Sequence, residues 1–520
     1  MALVGAAGQG VARVSWRRAA AGGFLGCAIA ALVMAPTWSQ LAQTWREDEA
    51  FQWCWLVVPA VLYGLSRHRG AQDGAPLPQF DIRGLRATLP AAVLWWICDL
   101  MNIAAGQEFA LVVALHGIAW SALGGRLYRE SFATLALLFL MVPSADFLQP
   151  MLRYITLNGL DLFALATGLP HRIEGYVVTI GAQHYIVIDE CSGLAPVTLS
   201  MFLGFFFGTL LYRSIWKVLS LAAFAAFLGV ACNLMRVDAI VWIDWLRGSQ
   251  MALTAHAGIQ WLSVLAVLGL LLFALGRLRG DPVAPASTIV ASAPVRRRDR
   301  FAPVLAGLSV PLAVWALNAA GRTLASASMG EERASAQSSQ ALPAILAGAT
   351  RIGDGLRWAI DPGQATASSV TLYQRGNTEI QAVVVKTLSA ADKLPRWQLP
   401  VTRSGHWRDM QTRREARCDP QGCVAFSRLI LQGSEFSQRR TMEATYCDAG
   451  LMTDSVLRLR AAHAWNRLRG LTDSRRSVVL VVDGDGLTAS EATAALRSLC
   501  GLAPQMPPSS DDANSSPDTR

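Results

Sequence analysis

The chain has 520 residues, a formal net charge of +9, and 52% of its residues in the apolar set. Its mean hydropathy is positive. That composition excludes an ordinary soluble protein and points to a membrane protein. Many of the early arginines lie in short loops between apolar segments, where they orient a chain in a bilayer and imply no nucleic acid.

A crossing helix needs about 20 largely apolar residues. Nine segments qualify, near residues 20–38, 51–66, 87–105, 108–125, 132–149, 193–212, 215–235, 256–276 and 302–320. The second is short and the end of the seventh is indistinct. Arg17 and Arg18 precede the first, whose run "FLGCAIAALVMAPTW" lacks a clean small-residue cleavage site. It reads as a retained helix rather than a signal peptide. Residues 151–170 are amphipathic and are expected at the interface or against the bundle. After them, "GYVVTI" and "HYIVID" flank "GAQ", a hairpin signal.

The loops set an orientation. Arg17 and Arg18, Arg67 to Arg86, Arg126 and Arg129, Arg213 and Lys217, and Arg277 to the run "RRRDR" all fall on one side of a chain that crosses nine times. The opposite loop "REDEA" is acidic. By the positive-inside rule the N-terminus is cytoplasmic, and residues 150–192 and the C-terminal part are external. In a bacterium this is the inner membrane, with the C-terminal part in the periplasm.

The expected architecture is therefore an all-α polytopic membrane protein of about nine crossings with a short external β-hairpin. A small C-terminal α+β soluble domain follows. The domain boundaries are 1–320 for the membrane part, 321–345 for a Ser/Ala-rich linker, 346–501 for the α+β domain and 502–520 for a disordered tail. In the α+β domain, "SSVTLYQR", "EIQAVVVKTL" and "RSVVLVVDG" read as strands. The stretches "TDSVLRLRAAHAWNRLRG" and "TASEATAALRSLCG" read as helices.

The nine cysteines split five to four. Cys27, Cys54, Cys98, Cys191 and Cys232 lie in the membrane part, and Cys418, Cys423, Cys447 and Cys500 in the tail domain. Four cysteines in an external domain fit two disulfides. Three pairings exist, of which Cys418–Cys423 with Cys447–Cys500 is preferred. The spacing "CDPQGC" is not the C-x-x-C of a zinc site, and no metal or cofactor is expected.

Three polar residues stand at expected outer helix ends: Cys191 at the start of the sixth, Arg236 at the end of the seventh, His256 at the start of the eighth. Topology alone brings them to one depth on one face. Singly, each has an ordinary explanation. A membrane Cys packs as a small residue, an interfacial Arg snorkels, and a His at a helix start is a satisfied polar group. Together they make an activated nucleophile. A helix N-terminus and a nearby cation favour the Cys191 thiolate. His256 can shuttle the proton, and Arg236 can hold an oxyanion. Glu190 would raise the thiol pKa if turned inward, so it is expected to orient another group or to face away. Ser192 and Gly193 complete the motif, and Asn233, one turn before Arg236, supports it.

In this order and topology, "ECSGL" (190–194), "NLMRV" (233–237) and His256 resemble the exosortase/archaeosortase family, most clearly over residues 85–276. The resemblance implies a membrane cysteine protease/transpeptidase with Cys191 as nucleophile, Arg236 as oxyanion and substrate stabiliser, and His256 as acid/base. It implies partners too: exported proteins whose C-terminal sorting signal is a short motif, a hydrophobic helix and a basic tail. The new C-terminus passes to a surface acceptor, an exopolysaccharide or a lipid-linked group, and the surroundings are membrane lipid. The tail domain is an extension the core family does not require.

Three rival readings differ in what they need. A transporter or polysaccharide-export component requires polar residues at mid-bilayer on several helices, where Asp99 and His116 are the exceptions to a one-sided pattern. Haem ligation requires His116 and His256 to be level. An inactive scaffold does not require all three site residues.

Overall fold

The computed structural model describes residues 2–70, 78–174, 177–181, 183–186, 192–247, 249–278, 280–281, 301–326, 349–354, 367–386, 407–419, 422–433, 439–448, 451–469, 476–483 and 487–500. The chain divides into two compact units. One is Met1–Asp99 with Ile103–Asn318, and the other is Leu100–Asn102 with Ala319–Arg520.

The first unit is helical. Helix α1 (Ala2–Val33) meets α2 (Ala35–Glu47) at 91°. The expected span 20–38 therefore crosses a corner, because Pro36 opens a new helix and cannot continue the old one. A 3₁₀ turn (Gln52–Leu56) leads into α3 (Val57–Gly70). Helix α4 (Leu85–Leu100) turns through Asn102, at φ +55°, into α5 (Ala104–Leu123).

The expected span 132–149 is not one helix. It is α7 (Phe132–Leu135) and two 3₁₀ turns, Ala136–Met141 and Ala145–Leu148, preceded by α6 (Gly125–Glu130). Pro143 cannot donate to a helical ladder, and it follows Val142, which is already extended.

Helix α8 (Gln149–Thr167) follows, and then a three-stranded antiparallel sheet, β1 (His171–Glu174), β2 (Val177–Ile180) and β3 (Gln183–Ile186). The expected hairpin is β2–β3, with β1 added on its outer side. The remaining helices are α9 (Leu194–Leu211), α10 (Ile215–Arg247), α11 (Ser249–Arg277) and α12 (Ala302–Ser326).

All nine expected segments contain helix. Among the described residues, four helices (α5, α9, α10 and α12) are long and apolar enough to cross a membrane, or five if the bent α1–α2 pair is one span. Three shorter apolar helices accompany them. Buried tryptophans find acceptors for their N–H groups: Trp45 Nε1 donates to the Met141 carbonyl and Trp95 Nε1 to Thr37 Oγ1.

The second unit holds an eight-stranded sheet. Its strands are β4 (Thr350–Asp354), β5 (Ala367–Arg375), β6 (Thr378–Lys386), β7 (Trp407–Asp419), β8 (Gly422–Gly433), β9 (Arg439–Asp448), β10 (Leu451–Thr453) and β11 (Arg476–Asp483). Their spatial order is β4-β5-β6-β11-β9-β10-β8-β7. The two helices are α13 (Val456–Leu468) and α14 (Ala489–Leu499). Val478, Leu480 and Val482 of β11 share a buried core with Ile380 and Ala382 of β6 and with Ala492, Ala495 and Leu496 of α14.

Cys447 and Cys500 form a disulfide, with Cα atoms 5.9 Å apart. Cys418 and Cys423 are Cα partners across β7–β8; their side chains lie outside the described residues, as do the stretch 327–348 and the tail 502–520.

Candidate active site

The sixth apolar segment begins at Gly193, the N-cap of α9, in the left-handed region at φ +84°. Glycine adopts that conformation without a Cβ penalty. Space demands it as well. A Cβ at residue 193 would lie 2.5 Å from Cγ and Nδ2 of Asn233. The motif's glycine thus lets the chain turn into α9 directly against α10.

Three elements meet at this turn. Thr156 of α8 donates from Oγ1 to the Ser192 carbonyl at 3.4 Å. Asn233 of α10 donates from Nδ2 to Thr156 Oγ1 at 3.4 Å. The Leu194 amide donates to Ser192 Oγ at 3.4 Å. Ser192, Thr156 and Asn233 are each at most 2% exposed.

The first turn of α9 is fixed from the other side by Thr198. Its hydroxyl lies 2.9 Å from both the Leu194 and the Ala50 carbonyls, which share its single proton, and accepts from Trp53 Nε1 at 3.1 Å. Deeper in the unit α9 and α10 run in close contact. A Cβ at Gly229 would come within 2.9 Å of the Pro196 carbonyl and Val197 Cα.

Arg236 lies one helical turn after Asn233 and is 6% exposed. A guanidinium held away from bulk water acts at a lower effective dielectric than a surface one. Arg236 does not end its helix, as the sequence reading expected. Helix α10 continues to Arg247, and its 33 residues span roughly 50 Å, longer than the ~30 Å hydrocarbon core. The extra turns have their own packing. Val237 and Val241 share a buried cluster with Leu157, Leu160 and Ala164 of α8 and with Val178 and Ile180 of β2.

His256 likewise falls seven residues inside α11 rather than at its start, and its side chain lies outside the described residues. Cys191 and Glu190 lie outside them too. The structure therefore brings together Ser192, Gly193 and Asn233 with Thr156, and sets Arg236 one helical turn beyond Asn233 on α10.

The sequence reading missed Thr156, which bridges Ser192 and Asn233. Its signal was its place on the apolar face of the amphipathic 151–170 segment. It also missed the bond from the Tyr185 hydroxyl to the Asp244 carboxylate, which ties β3 to the far end of α10. Burial first, then the bond to Asp244 and its charge, push the Tyr185 pKa up. Of the rival residues, His116 bonds from Nδ1 to the Tyr128 hydroxyl at 2.9 Å and stacks on Phe139. Among the described residues, no group of three or more His, Cys, Asp or Glu is placed to hold a metal ion.

Residues 45–275 match the family model of transmembrane exosortases. Over these residues, a little under half of its length, the chain is similar to the transmembrane exosortases. The match takes in α3 to α10 and nearly all of α11, and so the whole junction around Gly193 and Asn233. No curated protein and no solved structure matches the chain. The match and the apolar helices make this a membrane protein; the exosortases it resembles are in general terms membrane cysteine peptidases or transpeptidases.

Proposed function

We propose that the chain cleaves a C-terminal sorting signal from exported proteins and transfers the new C-terminus to a surface acceptor. One observation carries the reading. In the stretch that matches the exosortase model, Ser192 and Gly193, the two residues after Cys191, are locked into a buried junction with Thr156 and Asn233, one turn from a buried arginine.

In the proposed step the Cys191 thiolate attacks the scissile carbonyl and the Sγ–C bond forms. Arg236 donates to the oxyanion. The C–N bond breaks as His256 gives its proton to the leaving amine. An acceptor nucleophile then attacks the thioester and loses its proton to His256, and the C–Sγ bond breaks to release the Cys191 thiolate. The acceptor is an exopolysaccharide or lipid-linked group.

The substrate's hydrophobic helix enters laterally from the lipid, and its basic tail stays in the cytoplasm. This places the N-terminus inside, the junction and the tail domain in the periplasm, and about nine crossings of the bacterial inner membrane between them. The alternation of arginine-bearing loops supports that orientation.

The test is in-cell processing. Cys191→Ala is expected to leave full-length substrate in the membrane. Arg236→Lys, which keeps charge but loses the planar donor pair, is expected to slow processing by about 10²-fold or more. Normal processing by the Cys191→Ala variant overturns the proposal.

A further inference from the structure

Helix α13 of the second unit presents two unlike faces. Leu459 is fully buried and His463 is 7% exposed, so the side carrying them rests on the unit. On the opposite side, Leu457 is 65% and Trp465 48% exposed, and Ala461 is exposed between them. At 3.6 residues per turn, Leu457, Ala461, Ala464, Trp465 and Leu468 fall within about 100° of arc, one continuous apolar stripe. Arg458 and Arg469 project along one edge of that stripe by the same geometry, and Arg460 and Arg467 along the other. The helix itself, "VLRLRAAHAWNRL", contains no acidic residue.

An apolar stripe with a Trp, bordered on both sides by arginines and free of acidic residues, is what a helix lying in a membrane interface requires. The apolar side chains enter the headgroup–acyl boundary. The tryptophan ring sits at headgroup level. The exposed guanidiniums of Arg458 and Arg467, one on each edge, meet phosphates. The chain adds proximity: only 23 residues separate Ser326, the end of apolar helix α12, from Thr350, the start of β4. Even fully extended, they hold the unit within roughly 80 Å of that helix, so a weak surface contact acts at high effective concentration.

We infer that the Leu457–Trp465 stripe of α13 and its flanking arginines form a docking surface for anionic phospholipid headgroups. The surface is independent of the peptidase reading. Docking here fixes which face of the second unit is turned to the bilayer.

The test uses the full chain in lipid nanodiscs, with Trp465 replaced by the photoreactive residue p-benzoylphenylalanine. In nanodiscs of phosphatidylcholine and phosphatidylglycerol, irradiation is expected to give adducts of phospholipid mass at residue 465. Their yield is expected to fall by roughly fivefold or more when phosphatidylglycerol is omitted, or when Arg458→Gln and Arg467→Gln are combined. Retention of the Cys447–Cys500 disulfide, read by mass after thiol alkylation, establishes that each variant has folded. A variant that fails this check is replaced by Leu457→Ser, which is expected to lower the yield in the same way. Three results overturn the proposal: no lipid adduct, adducts whose yield ignores lipid charge and both substitutions, or adducts made instead with a second copy or with added anionic polysaccharide.

Discussion

Gly193 and Asn233 are packed so closely that the turn into α9 has room for a hydrogen and nothing larger. The 2.5 Å approach of a Cβ at residue 193 to Asn233 Cγ comes on top of a backbone at φ +84°. Gly193→Ala therefore meets strain of about 1–3 kcal/mol from the dihedral and a steric conflict as well. Both move the residue next to Cys191. The variant is expected to insert in the membrane at normal abundance and to lose at least about tenfold in processing rate, a shift of ~1.4 kcal/mol in the barrier. Asn233→Ala removes the Cγ and Nδ2 contacts but leaves its own Cβ 2.9 Å from a Cβ at residue 193 and leaves the positive φ, so it is expected not to restore Gly193→Ala. Quantifying uncleaved substrate in the single and double variants checks this, and full rescue would show that the clash alone set the effect.

The Tyr185–Asp244 bond reaches the same site from the other end. Tyr185 lies on β3, six residues before Cys191 in sequence, and Asp244 lies two turns beyond Arg236 on α10. Tyr185→Phe keeps the ring in its cluster with Val178 and Val241 but leaves the buried Asp244 carboxylate without that donor. A lost buried partner costs about 1–3 kcal/mol. The expected result is a lower melting temperature in detergent and a reduced kcat with little change in KM. Asp244→Asn, which retains an accepting oxygen, is expected to lie between wild type and Tyr185→Phe.

How far the site could be read in advance follows from what kind of signal each residue carries. Ser192, Gly193 and Asn233 stand in short motifs beside apolar segments, so position in the chain was enough to group them. The 91° bend at Met34 was missed because hydropathy counts apolar residues without registering that Pro36 forbids continuation. The end of α10 was misplaced for the opposite reason. Asp238 and Asp244 interrupt the apolar run, yet the helix persists because α8 and β2 cover its other side. In the second unit, β5, β6 and β11 are runs of β-branched residues and were legible. Strands β7 and β9 carry arginines and acidic residues at close intervals, and the apolar run of β8 is interrupted by Ser427 and Arg428. Their pairing is decided by non-local register, which local pattern does not encode.

His171 gives the three-stranded sheet a pH dependence. Its Nδ1 faces the Leu169 carbonyl at 3.0 Å and its Nε2 the Asp161 carboxylate at 2.8 Å. Two acceptors on one ring favour the doubly protonated imidazolium. The Leu169 bond first, and then Asp161, raise the pKa above its ordinary value of 6.5, with desolvation opposing. A raised folded-state pKa contributes stability that is fully present below the unfolded value and is lost as pH rises through the folded one. Amide exchange in β1 and β2 is therefore expected to be slowest near pH 6 and to accelerate, after correction for intrinsic rates, above neutrality. His171→Gln is expected to flatten that dependence. A corrected profile that is already flat in the unsubstituted protein contradicts this account.

The Cys447–Cys500 bridge joins β9 to the end of α14 across 53 residues of sequence. Closing a loop of that length in the unfolded chain removes entropy equivalent to about 4 kcal/mol. That is a large share of the 5–15 kcal/mol typical of a folded domain. The bridge also sits at the edge of the buried core that α14 makes with β6 and β11. Replacing both cysteines by alanine is thus expected to free α14 to fray from the sheet before the strands separate. Limited proteolysis of the full chain should then cut first within residues 484–500, at enzyme levels that leave the unsubstituted protein intact. Processing activity of the membrane unit in the same preparation reports whether the second unit's integrity is needed for the reaction. Unchanged protease resistance in the double variant would show that core packing alone holds α14 in place.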